Sequence, residues 1–419
     1  MVEWVKKNKI FSILVILIFI LGFYLRADFL TSVRHTVSHD TKYYNEMVHR
    51  LLDTGVYAYK GEIPNAQVTP GFPLFMTGMY IVADQIGVEP FPLIRWAQVL
   101  ISLGSMALIY TIAMQATRNK WVAIVALFVS AIYLPFIWAN GAILTETLAL
   151  FLLMAYLSMQ MYAFRTQRKR DAAFAGIILG LTVLVRAEFM PLFVPLYGVF
   201  LLQQWYKRST DGAAVRTSKL AVFKKVALLG VITGLCLSAV MLPWWIRNVV
   251  SLNEFVLTAS QSNPFKAGTY PNKDYTDKIV VQNGMSQNEY AWARIKAGFT
   301  QQTWKYVKWF TVGKLEYTYN RMFFGSGHEP GYFYPKAHNF HQLIVYGSII
   351  PLLMLVWRWR HPAVMIAVVI IIMSMIRLLF VPEYRYNFTV MPLFIILTSW
   401  LGITILQKIG TYTSRRKAV

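Results

Sequence analysis

The sequence predicts an all-α polytopic membrane protein of about ten transmembrane helices, each able to cross a hydrocarbon core of ~30 Å. Three observations predict it. The 419 residues are 56% hydrophobic and only 14% charged, with a mean hydropathy of +0.45, whereas soluble domains carry about 25% charged residues. Apolar stretches of about 20 residues recur along the chain. Short basic runs, at Arg165, Arg168, Lys169 and Arg170, at Lys207, Arg208, Lys224 and Lys225, at Arg358 and Arg360, and at Arg415, Arg416 and Lys417, fall between alternate stretches and mark the cytoplasmic side.

The first span is read at residues 10–27. Lys6, Lys7 and Lys9 precede it, and Arg26, Ala27 and Asp28 follow without a small-x-small cleavage pattern, so it is taken as an anchor rather than a cleaved signal. The others are placed at 91–116, 121–140, 143–164, 172–187, 189–205, 226–246, 339–357, 362–381 and 386–407. The chain then divides into a first span (1–27), an external loop (28–90), a helical bundle (91–246), a large external segment (247–338) and C-terminal helices with a basic tail (339–419). Both termini are expected in the cytoplasm, and the membrane is expected to be the bacterial cytoplasmic membrane. The net charge of +22 follows this topology rather than a nucleic-acid surface, and no nucleic-acid partner is expected. Of the 19 acidic residues only Glu3, Asp171 and Asp211 fall on the basic side, which places acid and base chemistry on the external face.

In the first loop, Tyr44, Met47, Val48, Leu51 and Leu52 recur at helical spacing, with Gly55 as the stop; this predicts an amphipathic helix in the membrane interface. The turn Thr69 to Pro73 then launches a second apolar helix through Ile81. The second external segment is irregular around Asn263 to Asn272. From Asn288 to Tyr319, Trp292, Trp304 and Phe310 alternate with Arg294, Lys305, Lys308 and Lys314, a mixture suited to anionic lipid headgroups.

Arg26, Arg95, Glu146, Arg186, Glu188, Arg247, Arg377, Glu383 and Arg385 all fall near the external ends of predicted spans. Charges at such depth are functional candidates, and arginines that converge on one face read as an anion-binding cavity. Asp40 opens the interfacial helix, where a carboxylate caps the helix or acts as a general base on an acceptor hydroxyl. Cys236 lies within a span and reads as a small packing residue. His35 and His39 are four apart, but they read as polar contacts rather than metal ligands, as do His328, His338 and His341. Asn387-Phe388-Thr389 matches the glycosylation pattern but abuts a span. No phosphate-binding glycine loop, nucleophile elbow or zinc-protease motif is present.

Taken in order, the acid and helix at Asp40 to Leu52, the turn at Pro70 to Leu74, Leu144-Thr145-Glu146-Thr147, Leu184 to Glu188, Pro243 to Asn248, and Glu383-Tyr384-Arg385-Tyr386 with Pro392 resemble the C-type glycosyltransferases that use polyprenyl-phosphate sugars. The similar branch contains protein O-mannosyltransferases and lipid A aminoarabinose transferases. The resemblance implies an inverting displacement that needs no cofactor or metal. It draws on a polyprenyl-phosphate sugar such as one on undecaprenyl phosphate, with a glycan, lipid or protein acceptor and membrane lipid as partners. It implies Asp40 as base, Arg247 and Arg385 on the donor phosphate with Arg186 and Lys60 next, and Glu146, His39, Tyr43 and Glu383 around sugar or acceptor. Two departures stand out. Asp40 is followed by Thr41 where many relatives have a second acid, which weighs against a paired-acid or metal mechanism. Thr69 precedes Pro70-Gly71 where the aminoarabinose branch has lysine, which weighs against lipid A as acceptor. Acceptor specificity then falls to the two external segments. The alternatives are an oligosaccharide polymerase or ligase with a diphosphate-linked donor, and a flippase or transporter for lipid-linked sugars, whose sites tend toward the bilayer midplane.

Overall fold

The computed structural model describes residues 9–37, 39–210, 218–260, 263–279, 281, 284–323 and 337–417. His328 lies outside them, as do Lys6, Lys7 and the side chains of His39, Lys207, Arg208 and Arg415 to Lys417. Helices α1 (Lys9–Ser32), α2 (His39–Thr54), α3 (Gly71–Ile86), α4 (Pro90–Thr117), α5 (Lys120–Ile132), α6 (Leu134–Trp138), α7 (Glu146–Thr166), α8 (Lys169–Val185), α9 (Phe193–Thr210) and α10 (Lys219–Leu252) form the N-terminal bundle. The segment at 247–338, expected to be external, contributes α11 (Asn263–Gly268), α12 (Gln287–Gln301), α13 (Thr303–Lys308) and α14 (Lys314–Tyr319); α15 (Ala337–Trp357), α16 (Val364–Leu379) and α17 (Met391–Lys417) complete the fold.

Among the described residues six helices (α1, α4, α7, α10, α15 and α17) are long and apolar enough to cross a membrane, and α5 and α16 are shorter apolar helices. Eight of the ten expected spans thus correspond to long or shorter apolar helices, and the count of ten is not confirmed. The segment at 121–140 divides because Tyr133 is extended and Pro135 opens a new short helix, α6. The segment at 189–205 begins late because a 3₁₀ turn holding Pro191 occupies Ala187–Leu192. Helix α10 is 34 residues long and runs six residues past the expected boundary at 246.

Close helix contact sets the bundle. A Cβ added at Gly176 would lie 2.3 Å from the Thr233 carbonyl oxygen, and one at Gly180 would lie 2.7 Å from Val240 Cβ. Small residues four apart on α8 thus let α10 lie directly against it, the way small-xxx-small pairs bring membrane helices together. Cys236 packs in this seam. The first loop docks on the far end of α8. Thr69 Oγ1 donates to the Val185 carbonyl at 2.9 Å, and a Cβ at Gly71 would lie 2.7 Å from the Leu184 carbonyl carbon, so α3 starts against the residues that precede Arg186.

Helix α2 ends where expected, with Gly55 at φ +71°. Its apolar face differs from the expectation of a helix resting on lipid: Tyr44, Met47 and Val48 are buried in the protein core. The headgroup-facing expectation for Arg294 and Lys314 is likewise overturned. Arg294 ion-pairs with Asp277 at 2.6 Å, and Lys314 Nζ donates to the Leu378 carbonyl at 2.6 Å; both are buried. Trp292, Trp304, Lys296, Lys305 and Lys308 remain exposed.

Candidate active site

Six charged residues from five chain segments meet at one end of the bundle. Asp40 and Glu146 lie in the first turns of α2 and α7, where the unsatisfied N–H groups of a helix favour negative charge. Arg186 caps α8, Glu188 sits in the 3₁₀ turn after it, Arg377 ends α16, and Arg385 lies in the short turn before α17. Thr41 Oγ1 donates to the Ile143 carbonyl at 3.0 Å. It thereby ties the start of α2 to the loop that delivers Glu146.

The contacts form a chain. Arg385 Nη1 donates to Asp40 Oδ2 at 2.8 Å, and Arg385 Nε lies 3.0 Å from Glu146 Oε1. Arg186 Nη1 reaches the same Glu146 oxygen at 3.3 Å, and its Nε lies 3.0 Å from Glu188 Oε1. Arg377 Nε lies 3.7 Å from Glu188 Oε2. Three cations thus face three carboxylates. Several approaches are at ion-pair distance without hydrogen-bond alignment, so Arg385 Nε, Arg377 Nε and Glu188 Oε1 are left without a hydrogen-bond partner among the described residues. Guanidinium donors left without a hydrogen bond suit a ligand rich in acceptor oxygens. The Glu146 and Asp40 carboxylates hold the Arg385 guanidinium more firmly protonated than usual, even against the burial that opposes it.

Tyrosines wall the Asp40 side. Burial, then the negative charge of Asp40, pushes the Tyr59 hydroxyl well above its ordinary range. Lys60 adopts φ 54° and sets its ammonium 4.5 Å above the Tyr43 ring and 5.4 Å above Tyr59. A left-handed lysine is a strained position, of order 1–3 kcal/mol, that local packing must enforce.

Other expected site residues lie elsewhere. Arg247 donates to the carbonyls of Asn65 (2.9 Å) and Tyr57 (2.7 Å) and to Asn248 Oδ1 (2.9 Å), so it clamps the first loop. It also rims an apolar cavity of about 540 Å³ bounded by Leu51, Leu74, Leu184, Pro243 and Trp244. Glu383 pairs with Lys273, a partner from the external segment that the sequence reading missed. Lys273 follows Asn272 in two successive left-handed residues, which sequence spacing does not signal. Arg26 is withdrawn from the surface and bonds Ser102 Oγ and the carbonyls of Gly22, Ala131 and Ser130. His35 packs edge-on to Phe29, and His341 is buried between the Tyr133 hydroxyl and the Tyr319 carbonyl. Asn387 donates to the carbonyls of Thr318 and Arg321 and is buried, so it offers no accessible glycosylation amide. Among the described residues no three His, Cys, Asp or Glu side chains group as a metal site.

The helical architecture with a charged cluster at one end of the bundle resembles the C-type glycosyltransferase fold. The family model described as dolichyl-phosphate-mannose-protein mannosyltransferase matches residues 16–257, and the chain belongs to that family. Similar solved folds include the archaeal oligosaccharyltransferase AglB from Archaeoglobus fulgidus, solved with an inhibitory peptide and a dolichol-phosphate (TM-score 0.61, 13% identity, 99% of this chain and 52% of that one). ArnT from Cupriavidus metallidurans is similar in its apo state (TM-score 0.54, 13% identity, 94% and 60%) and bound to undecaprenyl phosphate (TM-score 0.50, 14% identity, 95% and 60%). This chain therefore spans between half and three-fifths of the length of those proteins. No curated protein sequence matches it.

Proposed function

We propose that this protein transfers a sugar from a polyprenyl-phosphate donor to a hydroxyl of a glycan, lipid or protein acceptor on the external face of a bacterial cytoplasmic membrane. The observation that carries the reading is the 2.8 Å contact between Asp40 and Arg385 inside a network with unused arginine donors. The acceptor oxygen attacks the anomeric carbon, the bond from that carbon to the phosphate oxygen breaks with inversion, and the phosphate leaves with the electron pair. Asp40 takes the acceptor proton. In that step Asp40 loses one negative charge and the phosphate gains one. Arg385, shared between them, can follow the charge from carboxylate to phosphate, so stabilisation tracks the transition state. Donor phosphate would draw Arg385 from Asp40 and free the base at the moment of substrate binding. Arg186 supports Arg385 through Glu146, Lys60 supplies a further cation, and Tyr43 borders sugar or acceptor. The apolar cavity beneath Arg247 suits the first isoprene units. The family match and the lipid phosphates bound by ArnT and AglB agree with a lipid-phosphate donor.

The test is transfer of radiolabelled sugar from defined polyprenyl phosphates by purified protein, with Asp40→Asn as control. Transfer lost while donor binding persists supports the base. Undiminished transfer removes Asp40 from the chemistry, and lipid-linked sugar crossing vesicles without transfer would make the protein a flippase.

A further inference from the structure

At the end of the bundle opposite the carboxylate network, the tip of α4, the last turn of α7, the middle of α9 and the start of α16 enclose a second cavity of about 240 Å³. It lies a membrane's width from the first: α7 begins at Glu146 and carries Arg165 in its last turn, and its 21 residues span about 30 Å. Three arginines converge on it, Arg118, Arg165 and Arg360, and no acidic residue lines it. None of the three takes part in an ion pair among the described residues. Its floor is apolar, including Met161, Phe164 and Phe200.

The arginines are held in place. Arg118 sits at φ 53°, a left-handed helix cap that turns the chain at the cavity edge, and Arg360 lies over the Tyr206 ring at 3.1 Å. Helices α4 and α7 both end here, and their terminal carbonyls contribute about −0.5 charge each. Three guanidinium charges outweigh that, so the cavity stays positive. Burial lowers the His361 pKa, and the nearby Arg358 and Arg118 lower it further, which reports the same uncompensated field. Inside, the Gln115 side-chain oxygen is buried without a hydrogen-bond partner among the described residues.

We infer that this cavity binds the headgroup of an anionic glycerophospholipid from the leaflet opposite the proposed transfer site. The arginines take the phosphate, a headgroup hydroxyl satisfies Gln115, and the acyl chains stay outside among lipid. The volume supports that division, being below the ~300–1,000 Å³ of pockets that enclose a whole small ligand. Basic pockets between membrane helices bind lipid phosphates by this chemistry.

The experiment reconstitutes full-length protein in phosphatidylcholine nanodiscs containing phosphatidylglycerol, transfers it to detergent and counts retained lipid by native mass spectrometry. Wild type is expected to retain phosphatidylglycerol over phosphatidylcholine. Arg118→Gln, Arg165→Gln and Arg360→Gln together should lose that preference, at about fivefold per arginine. Met114→Trp, which fills the cavity without changing charge, should lose it too and decides the matter should the triple variant fail to fold. A control that removes equal charge outside the cavity, Arg168→Gln, Lys169→Gln and Arg170→Gln, should retain it. Equal loss in the control, retention in both cavity variants, or displacement of all lipid by inorganic phosphate would overturn the proposal.

Discussion

Two arginine–aspartate pairs lie on the same side of this molecule and do opposite things. Arg385 and Asp40 meet at 2.8 Å with side chains 32% and 36% exposed; Arg294 and Asp277 meet at 2.6 Å with 2% and 1%. Arg294 also donates to Thr269 Oγ1, the Ile279 carbonyl and the Tyr306 hydroxyl, and it lies 3.7 Å over the Tyr270 ring. Its donors are committed to protein. Arg385 keeps a buried Nε, 3.0 Å from Glu146 Oε1, without a hydrogen bond, while about a third of its side chain is exposed. Distance alone does not separate a structural pair from one that can exchange partners; the surroundings of the pair do.

The comparison can be broken from either side. Asp40→Asn should lower transfer ~10²–10⁴-fold yet shift unfolding by about 1 kcal/mol, as for a partly exposed pair; comparable losses of stability and turnover would erase the distinction. In Asp277→Asn the order should reverse. A buried Arg294 stripped of its counter-charge should cost about 3–5 kcal/mol, read as a large drop in thermal midpoint in detergent.

Lys314 sharpens the comparison further, because it is a buried basic group in the same 247–338 segment with no carboxylate bonded to it among the described residues. Burial depresses its pKa from 10.5 to about 7. Between those values the unfolded chain holds a proton that the folded chain lacks, so the penalty is absent above 10.5, grows as pH falls and levels off below about 7. Relative to Lys314→Met, wild type should therefore gain stability from pH 7 to 9, at up to about 1.4 kcal/mol per pH unit; a flat difference would show that Lys314 stays charged. The smallest effect is expected for Thr41→Val. Losing its bond to the Ile143 carbonyl should cost about 0.5–1.5 kcal/mol, and an unchanged thermal midpoint would show that this tether does not hold Asp40 and Glu146 in register.

Apolar length and charge asymmetry made the helical membrane fold legible, and local chemistry made the stop at Gly55 legible. Asp40, Glu146, Arg186 and Arg385 were each visible as ionisable residues at predicted helix ends. Their pairing was not, because it depends on which helix ends converge, and residues 345 positions apart make the closest contact. Glu188 and Arg377 stood out as deep charges, but only the fold shows them closing the network. Arg294 misled for a related reason: an amphipathic pattern gives its face, but not whether that face meets lipid or the loop carrying Asp277. Arg247 sits in a fitting motif, yet its donors go to the first loop, since backbone acceptors leave no mark in side-chain spacing.

Arg26 carries a consequence for biogenesis. Its guanidinium is fully buried, and apart from its own helix at Gly22 its hydrogen-bond partners come from Ser102 on α4 and from Ser130 and Ala131 on α5. When α1 first emerges from the ribosome, none of those distant partners has been made. A bare arginine within a span costs about 2.5–3.5 kcal/mol at the bilayer centre and less toward either interface. Arg26 is therefore fully satisfied only after roughly a hundred further residues arrive, and the last of its stabilisation of α1 depends on α4 and α5.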